Sequence, residues 1–190
     1  DHASHRLICE GLNGLTPTIP ILSEESTLEQ LIGRRDWPLC WMIDPLDGTR
    51  EFLEGTGEFT VNIALIVEAE AVPGLIAAPN RGYVDFGVPD WGAQRYPLFA
   101  GGDAEALVTR SLDTASPLVM SASARHREER VQVMLGLLSE LPQGAERLDA
   151  GSGLKFCDVA SGVAEVYPRT SPFYEWDPAA GDAPARAAGG

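Results

Sequence analysis

Three features of the sequence predict an α/β (α+β) fold. An apolar run over residues 39–43 reads as a short buried strand that delivers Asp44 and Asp47 to its carboxyl end, and Gly48 and Thr49 then turn the chain into a short helix. Residues 59–66 alternate, with apolar side chains at 59, 61, 63 and 65, and Pro73, Gly74, Pro79 and Gly82 punctuate strands at about 74–78, 82–86 and 92–96. That pattern is an antiparallel meander, expected to supply structure rather than chemistry. Helical spacing over residues 126–141 then falls between strands at 117–121 and 148–150.

In chain order, Leu7, Ile8, Leu12 and Leu15 predict a helix over residues 3–13. Residues 19–22 read as a strand ending at Ser23-Glu24-Glu25-Ser26. Ser26 and Glu29 form a capping-box pattern for a short helix running to about Gly33. Acids near a helix start are favoured by the dipole alone, so Glu24 and Glu25 need no further role on that ground. At Pro45 the missing N–H and fixed φ predict that the chain leaves the sheet, so that Asp44 and Asp47 converge on one point. Convergent carboxylates are hard-cation ligands; the alternative is an Asp-Gly turn with solvated acids.

The polar stretch 101–117 has weak periodicity and marks the boundary between two halves, 1–113 and 114–190. In the second half, helix 126–141 is expected to turn Val131, Met134, Leu135 and Leu138 inward. The preceding basic, hydroxyl-rich turn at 121–127 reads either as an anion site at a helix start or as a cap balanced by Glu128 and Glu129. Gly151-Ser152-Gly153 is a tight turn, residues 154–161 a helix closed by Gly162, and residues 164–167 a strand. A cation in a first helical turn is poorly placed for the dipole, so Lys155 has another reason to be there. Trp176-Asp177-Pro178 reads as a helix start with Asp177 as N-cap; one carboxylate oxygen can cap while the other binds a cation.

A chain of 190 residues, 44% hydrophobic, can bury a core of its own. No apolar run approaches the roughly 20 residues of a membrane span, and DHASHRL lacks the pattern of a signal peptide. A cytoplasmic location is the default, with peripheral association at the inner membrane left open. Cys9, Cys40 and Cys157 are odd in number and hold no CxxC pair, which argues against a disulfide framework or a zinc site. A formal net charge of −14 argues against general nucleic-acid binding and leaves room for a small phosphorylated substrate held by local cations. No feature sets an oligomeric state.

DPLDGTREF followed by GEFTVNIALI, with LSEES at 22–26, GSGLKFCDVASGVAEVYPR at 151–169 and WDPAAG at 176–181, resembles the inositol monophosphatase and fructose-1,6-bisphosphatase superfamily. Within it, these strings are most similar to the 3'(2'),5'-bisphosphate nucleotidases. The resemblance spans nearly the whole chain in the family's order. It implies a layered αβαβα sandwich, here lacking flanking segments at both ends, and hydrolysis of the 3'-phosphate of adenosine 3',5'-bisphosphate. It also implies two or three Mg2+ per site: Glu24, Asp44 and the Leu46 carbonyl would hold the first, and Asp44, Asp47 and Asp177 the second. Asp1 and Thr49 would orient and deprotonate the attacking water, with Glu24 and Asp47 completing the catalytic set. Gly48, Thr49, His126, Ser152, Lys155, Arg169 and Asp177 would bind substrate.

Competing readings have their own marks. A haloacid-dehalogenase-type phosphatase also has an Asp after an apolar strand, but its two Asp residues are two apart, whereas Asp44 and Asp47 are three apart with Pro45 between them. A metal- or nucleotide-binding regulator without turnover would not need Asp1 and Thr49. An inositol phosphatase would keep the acidic set and have no use for the cations His126, Lys155 and Arg169.

Overall fold

The computed structural model describes residues 1–99, 101–125 and 129–190. A seven-stranded sheet runs in the order β1 (Ile21–Ser23), β2 (Leu39–Asp47), β3 (Thr60–Val67), β4 (Glu70–Ala78), β5 (Tyr83–Val88), β6 (Gly92–Pro97) and β7 (Glu105–Leu107). Only the β1–β2 pair is parallel; the rest form the meander. A second, parallel pair joins β8 (Leu118–Ala122) to β9 (Ala145–Asp149). The helices are α1 (His2–Leu15), α2 (Leu28–Gly33), α3 (Thr49–Leu53), α4 (Glu129–Ser139), α5 (Leu154–Ala160) and α6 (Trp176–Ala187). No described helix is long and apolar enough to cross a membrane.

One face of the large sheet carries α6, which crosses β2 to β6 and also packs on α5. Leu22, Met42, Ala64 and Ile76 from the sheet meet Cys157, Trp176, Ala179 and Ala180 there. A helix lies this close only where the sheet offers no side chains, and Gly74 and Gly87, directly paired across β4 and β5, provide that bare patch. A Cβ on Gly74 would sit 2.5 Å from the Ala180 carbonyl oxygen, and one on Gly87 would sit 2.4 Å from Pro184 Cα. Both obstacles are backbone and cannot swing aside. Gly74→Ala is therefore expected to cost about 1–3 kcal/mol, seen as a fall in Tm of about 2–12 °C in a thermal melt; an unchanged Tm would mean that α6 can lift off the sheet at no cost.

Several local expectations need correction. The capping box of α2 is Thr27 with Gln30, not Ser26 with Glu29: the Thr27 hydroxyl accepts Gln30 N–H while Gln30 Oε1 accepts Thr27 N–H. The Ser26 hydroxyl is taken by Ser23 N–H in the turn that carries Glu24. The chain does not leave the sheet at Pro45; β2 runs on to Asp47 through a bulge. Stretch 101–117 contains the edge strand β7. Residues 164–167 form no strand, only a single bridge from Val166 to Met120. On α4, Val131, Leu135 and Leu138 pack inward on β8, but Met134 is 39% exposed. Asp177 lies in the first turn of α6 rather than capping it; Glu175 holds the N-cap position.

Candidate active site

The acidic centre is built by register. Because β1 and β2 are parallel, with Ser23 beside Ile43, β1 ends just where β2 reaches Asp44. Glu24 N–H donates to the Ile43 carbonyl at 3.2 Å, which sets Glu24 next to Asp44. Two residues three apart on a regular strand point to opposite faces. The bulge removes that mismatch: Asp44 pairs with Asn62 and Asp47 with Thr60, so three steps on β2 match two on β3 and both acids share the face that carries α5 and α6. Pro45, which has no N–H for the ladder, lies inside the bulge. The Asp44 carboxylate turns back to accept Leu46 N–H at 3.1 Å.

Asp47 is held from β3. Asn62 Nδ2 donates to Asp47 Oδ2 at 3.2 Å, and Thr60 Oγ1 lies 3.5 Å from the same oxygen. These contacts tie the meander, expected to supply structure, directly to the acidic loop. The alternation of β3 is real, but its fully buried side chains are Thr60, Asn62 and Ala64, while Val61, Ile63 and Leu65 on the other face are only partly buried. The signal in the sequence was a Thr and an Asn at the even positions of an apolar strand beside DPLDGT.

Gly48 follows with φ 88°, a left-handed conformation that glycine takes without strain, and starts α3. A Cβ there would also meet the Glu58 carbonyl oxygen at 3.1 Å and Ser152 Cβ at 3.2 Å. Thr49 Oγ1 donates to the Leu46 carbonyl at 3.3 Å. Asp1 stands exposed at the start of α1, and Ser4 of that helix donates to the Pro45 carbonyl at 2.8 Å, so α1 begins beside the acidic loop.

Residues between 122 and 177 supply the opposing wall. Asp47, Gly48, Ser152, Lys155, Arg169 and Asp177 line one cleft. Asp177 forms an ion pair with Arg169 at 3.5 Å, and the Arg169 guanidinium lies 5.2 Å from the Phe173 ring centroid. Lys155 is buried, and its ammonium donates to the Ser152 carbonyl at 2.6 Å and towards that of Ala150 at 3.5 Å. Holding the turn carbonyls is thus one reason for a cation at this helix start; burial also lowers its pKa. The Ser152 hydroxyl donates to the Asp47 carbonyl at 2.8 Å. His126 lies outside the described residues. Its neighbour Arg125 pairs with Glu51 at 2.7 Å and with Glu54 of the α3 region.

Burial and mutual repulsion set the character of the acidic group. Burial first, then the neighbouring Asp47 and Glu24, push the Asp44 carboxyl up to about 9. Glu24 is raised by burial although its carboxyl shares a hydrogen bond with Asp44, and Asp177 is raised by burial and by Asp47. Among the described residues no three His, Cys, Asp or Glu side chains close into a finished ion cage. The donor set still suits a hard divalent cation: oxygen-only, predominantly anionic, and destabilised by mutual repulsion that a cation would neutralise.

Residues 1–190 match the inositol monophosphatase family throughout. The chain belongs to that family. It is 40% identical over 189 residues to the 3'(2'),5'-bisphosphate nucleotidase CysQ of Salmonella typhimurium and to that of Escherichia coli K12, covering all of this chain and 72% of each relative. Among solved structures, CysQ from Bacteroides thetaiotaomicron superposes with a TM-score of 0.86 at 36% identity, over 97% of this chain and 71% of that one. Mycobacterium tuberculosis SuhB gives 0.78 at 28% identity, over 100% and 72%. The mixed α/β architecture is thus that of the inositol monophosphatase family.

Proposed function

We propose that this chain carries the catalytic centre of a magnesium-dependent 3'(2'),5'-bisphosphate nucleotidase that removes the 3'-phosphate of adenosine 3',5'-bisphosphate. The observation carrying this reading is a single cleft that faces Asp47 and Asp177, from opposite halves of the chain, with Arg169 beside them. Similarity at 40% identity over all of this chain and 72% of each relative, to proteins named as bisphosphate nucleotidases, supports it.

In this reading Glu24, Asp44, the Leu46 carbonyl, Asp47 and Asp177 hold two or three Mg2+. Bound there, the ions would neutralise phosphate charge and lower the pKa of the attacking water. The chain's own groups do the rest. The Thr49 hydroxyl would orient that water and take its proton while passing its own to the Asp1 carboxylate, with Glu24 and Asp47 fixing its line of approach. Gly48 and Thr49 N–H groups at the start of α3 receive phosphate oxygens. Arg169, with Lys155 and His126, takes the phosphate that does not react. The site forms where residues 1–113 meet residues 114–190. Three free cysteines fit a reducing, cytoplasmic setting.

An inositol phosphate is the alternative substrate, and Arg169 decides between them. A charged hydrogen bond to the second phosphate is worth about 1.5–3 kcal/mol, or roughly tenfold to a hundredfold. Arg169 also lowers the pKa of Asp177, so its removal has a second effect common to every substrate. The ratio of losses separates the two. Arg169→Ala is expected to reduce kcat/KM for adenosine 3',5'-bisphosphate about ten to a hundred times more than for adenosine 3'-monophosphate. Equal losses would mean that Arg169 acts only through Asp177, and faster wild-type hydrolysis of inositol 1-phosphate than of the bisphosphate would replace the nucleotidase reading.

A further inference from the structure

We infer that Asn62, together with the Thr60–Ser152 hydroxyl pair, is a positioning device that fixes the Asp47 carboxylate and locks the 151–153 turn of the second half onto the acidic loop of the first. This rests on the proposed role of Asp47 as a cation ligand.

Proton bookkeeping leads to it. The Asp47 backbone carbonyl can only accept, so the Ser152 hydroxyl, 2.8 Å away, spends its one proton there. The 2.6 Å contact between Thr60 and Ser152 must then use the Thr60 proton, with Ser152 accepting. Thr60 Oγ1 in turn accepts Gly153 N–H at 3.2 Å. Thr60 therefore has no proton left for Asp47 Oδ2, 3.5 Å away. Among these hydrogen bonds, Asn62 Nδ2 then remains as the side-chain donor to that carboxylate oxygen, at 3.2 Å. Exchanging the amide nitrogen and oxygen would set two oxygens against each other, so the network assigns the amide orientation.

That assignment has a visible cost. Asn62 is fully buried, and its Oδ1 is the one buried side-chain nitrogen or oxygen among the described residues without a hydrogen-bond partner. A buried amide with an orphaned oxygen is a poor way to fill a core. Its donor half explains its presence. The turn is seated with equal tightness: a Cβ on Gly151 would lie 2.9 Å from the Glu58 carbonyl oxygen, and one on Gly153 would lie 2.8 Å from Thr60 Oγ1. Between them Ser152 takes φ 52°, left-handed for a residue with a side chain, and its hydroxyl links both halves.

The test is calorimetric titration of metal-free protein with Mg2+, alongside thermal melts. Partners behind a metal ligand are typically worth 10–100-fold in metal affinity. Asn62→Leu, which keeps the side chain's branching and number of heavy atoms, is expected to weaken Mg2+ binding by about that factor while changing the metal-free Tm little, because removal of the orphaned oxygen offsets the lost hydrogen bond and the added bulk. A merely structural Asn62 would do the opposite. Ser152→Ala keeps the strained backbone and Ser152→Gly relieves it; both should weaken Mg2+ alike although the Gly variant melts higher. In an Asp47→Asn background, Asn62→Leu should have no further effect.

Mg2+ affinity within twofold of wild type in folded Asn62→Leu, or in both Ser152 variants, overturns the inference; if Asn62→Leu does not fold, the Ser152 pair decides by the same criterion. Wild-type protein that binds Mg2+ but does not hydrolyse adenosine 3',5'-bisphosphate would sink the nucleotidase reading alone, since this readout needs no turnover.

Discussion

Replacing Asp44 by Asn is expected to abolish most magnesium-dependent turnover while making the metal-free protein more stable at neutral and alkaline pH. The first effect follows from the position of Asp44 between Glu24 and Asp47, where one carboxylate serves both proposed cations. Cations supply several kcal/mol of charge stabilisation in a phosphoryl transition state, and each 1.36 kcal/mol is tenfold, so a loss of about 10²–10³-fold in kcat/KM is expected. The second effect follows from its environment. Burial and two neighbouring acids raise the folded-state pKa to about 9, whereas an unfolded Asp titrates near 4.

The sign is then set. Below about pH 4 both states hold the proton, and this group costs nothing. As pH rises from about 4 towards 9 the unfolded chain ionises while the folded one resists, so metal-free stability falls across that window. Asn cannot ionise, and the variant's Tm should be flatter over the same range. Mg2+ should raise the wild-type Tm, increasingly so towards pH 9, and raise the variant's far less. An Asn variant that keeps activity within tenfold, or whose metal-free Tm falls with pH as steeply as wild type, would remove Asp44 from the cation site.

Thr49→Ala is expected to lower kcat by about 10²–10⁴-fold, the range for a positioned proton-transfer group, with little change in KM or in Mg2+ affinity. The Thr49 side chain is exposed at the start of α3, and its Oγ1 donates to the Leu46 carbonyl at 3.3 Å. It packs into no core, so the substitution should leave Tm nearly unchanged. Thr49→Ser retains the hydroxyl and should recover most of the rate. A single turnover in ¹⁸O-labelled water should place the label in phosphate and none in protein. Label on Asp44 would instead mean a covalent aspartyl-phosphate and the haloacid-dehalogenase scheme; unchanged kcat in Thr49→Ala would remove the hydroxyl from proton transfer.

Elements whose causes are local could be read from the residues alone. Helical spacing marked α1, alternation marked the meander, and the strand–DPLDGT–helix string marked the acidic loop, because periodicity and Pro/Gly stereochemistry act within a few residues. The family and its acidic residues were legible for the same reason: they lie in contiguous strings. Tertiary structure alone decided how those strings combine. That Asp44 and Asp47 share a face depends on a bulge in β2, which exists only relative to the register of β3. Which face of β3 would be buried depended on the 151–153 turn, α5 and α6, far along the chain, and they cover Thr60, Asn62 and Ala64 rather than the more apolar side. The duties of Lys155 and Ser152 were likewise invisible in the string GSGLK. Hydrogen bonds are directional and short, so the partners of these groups are fixed only when the 151–153 turn closes onto Asp47 and Thr60.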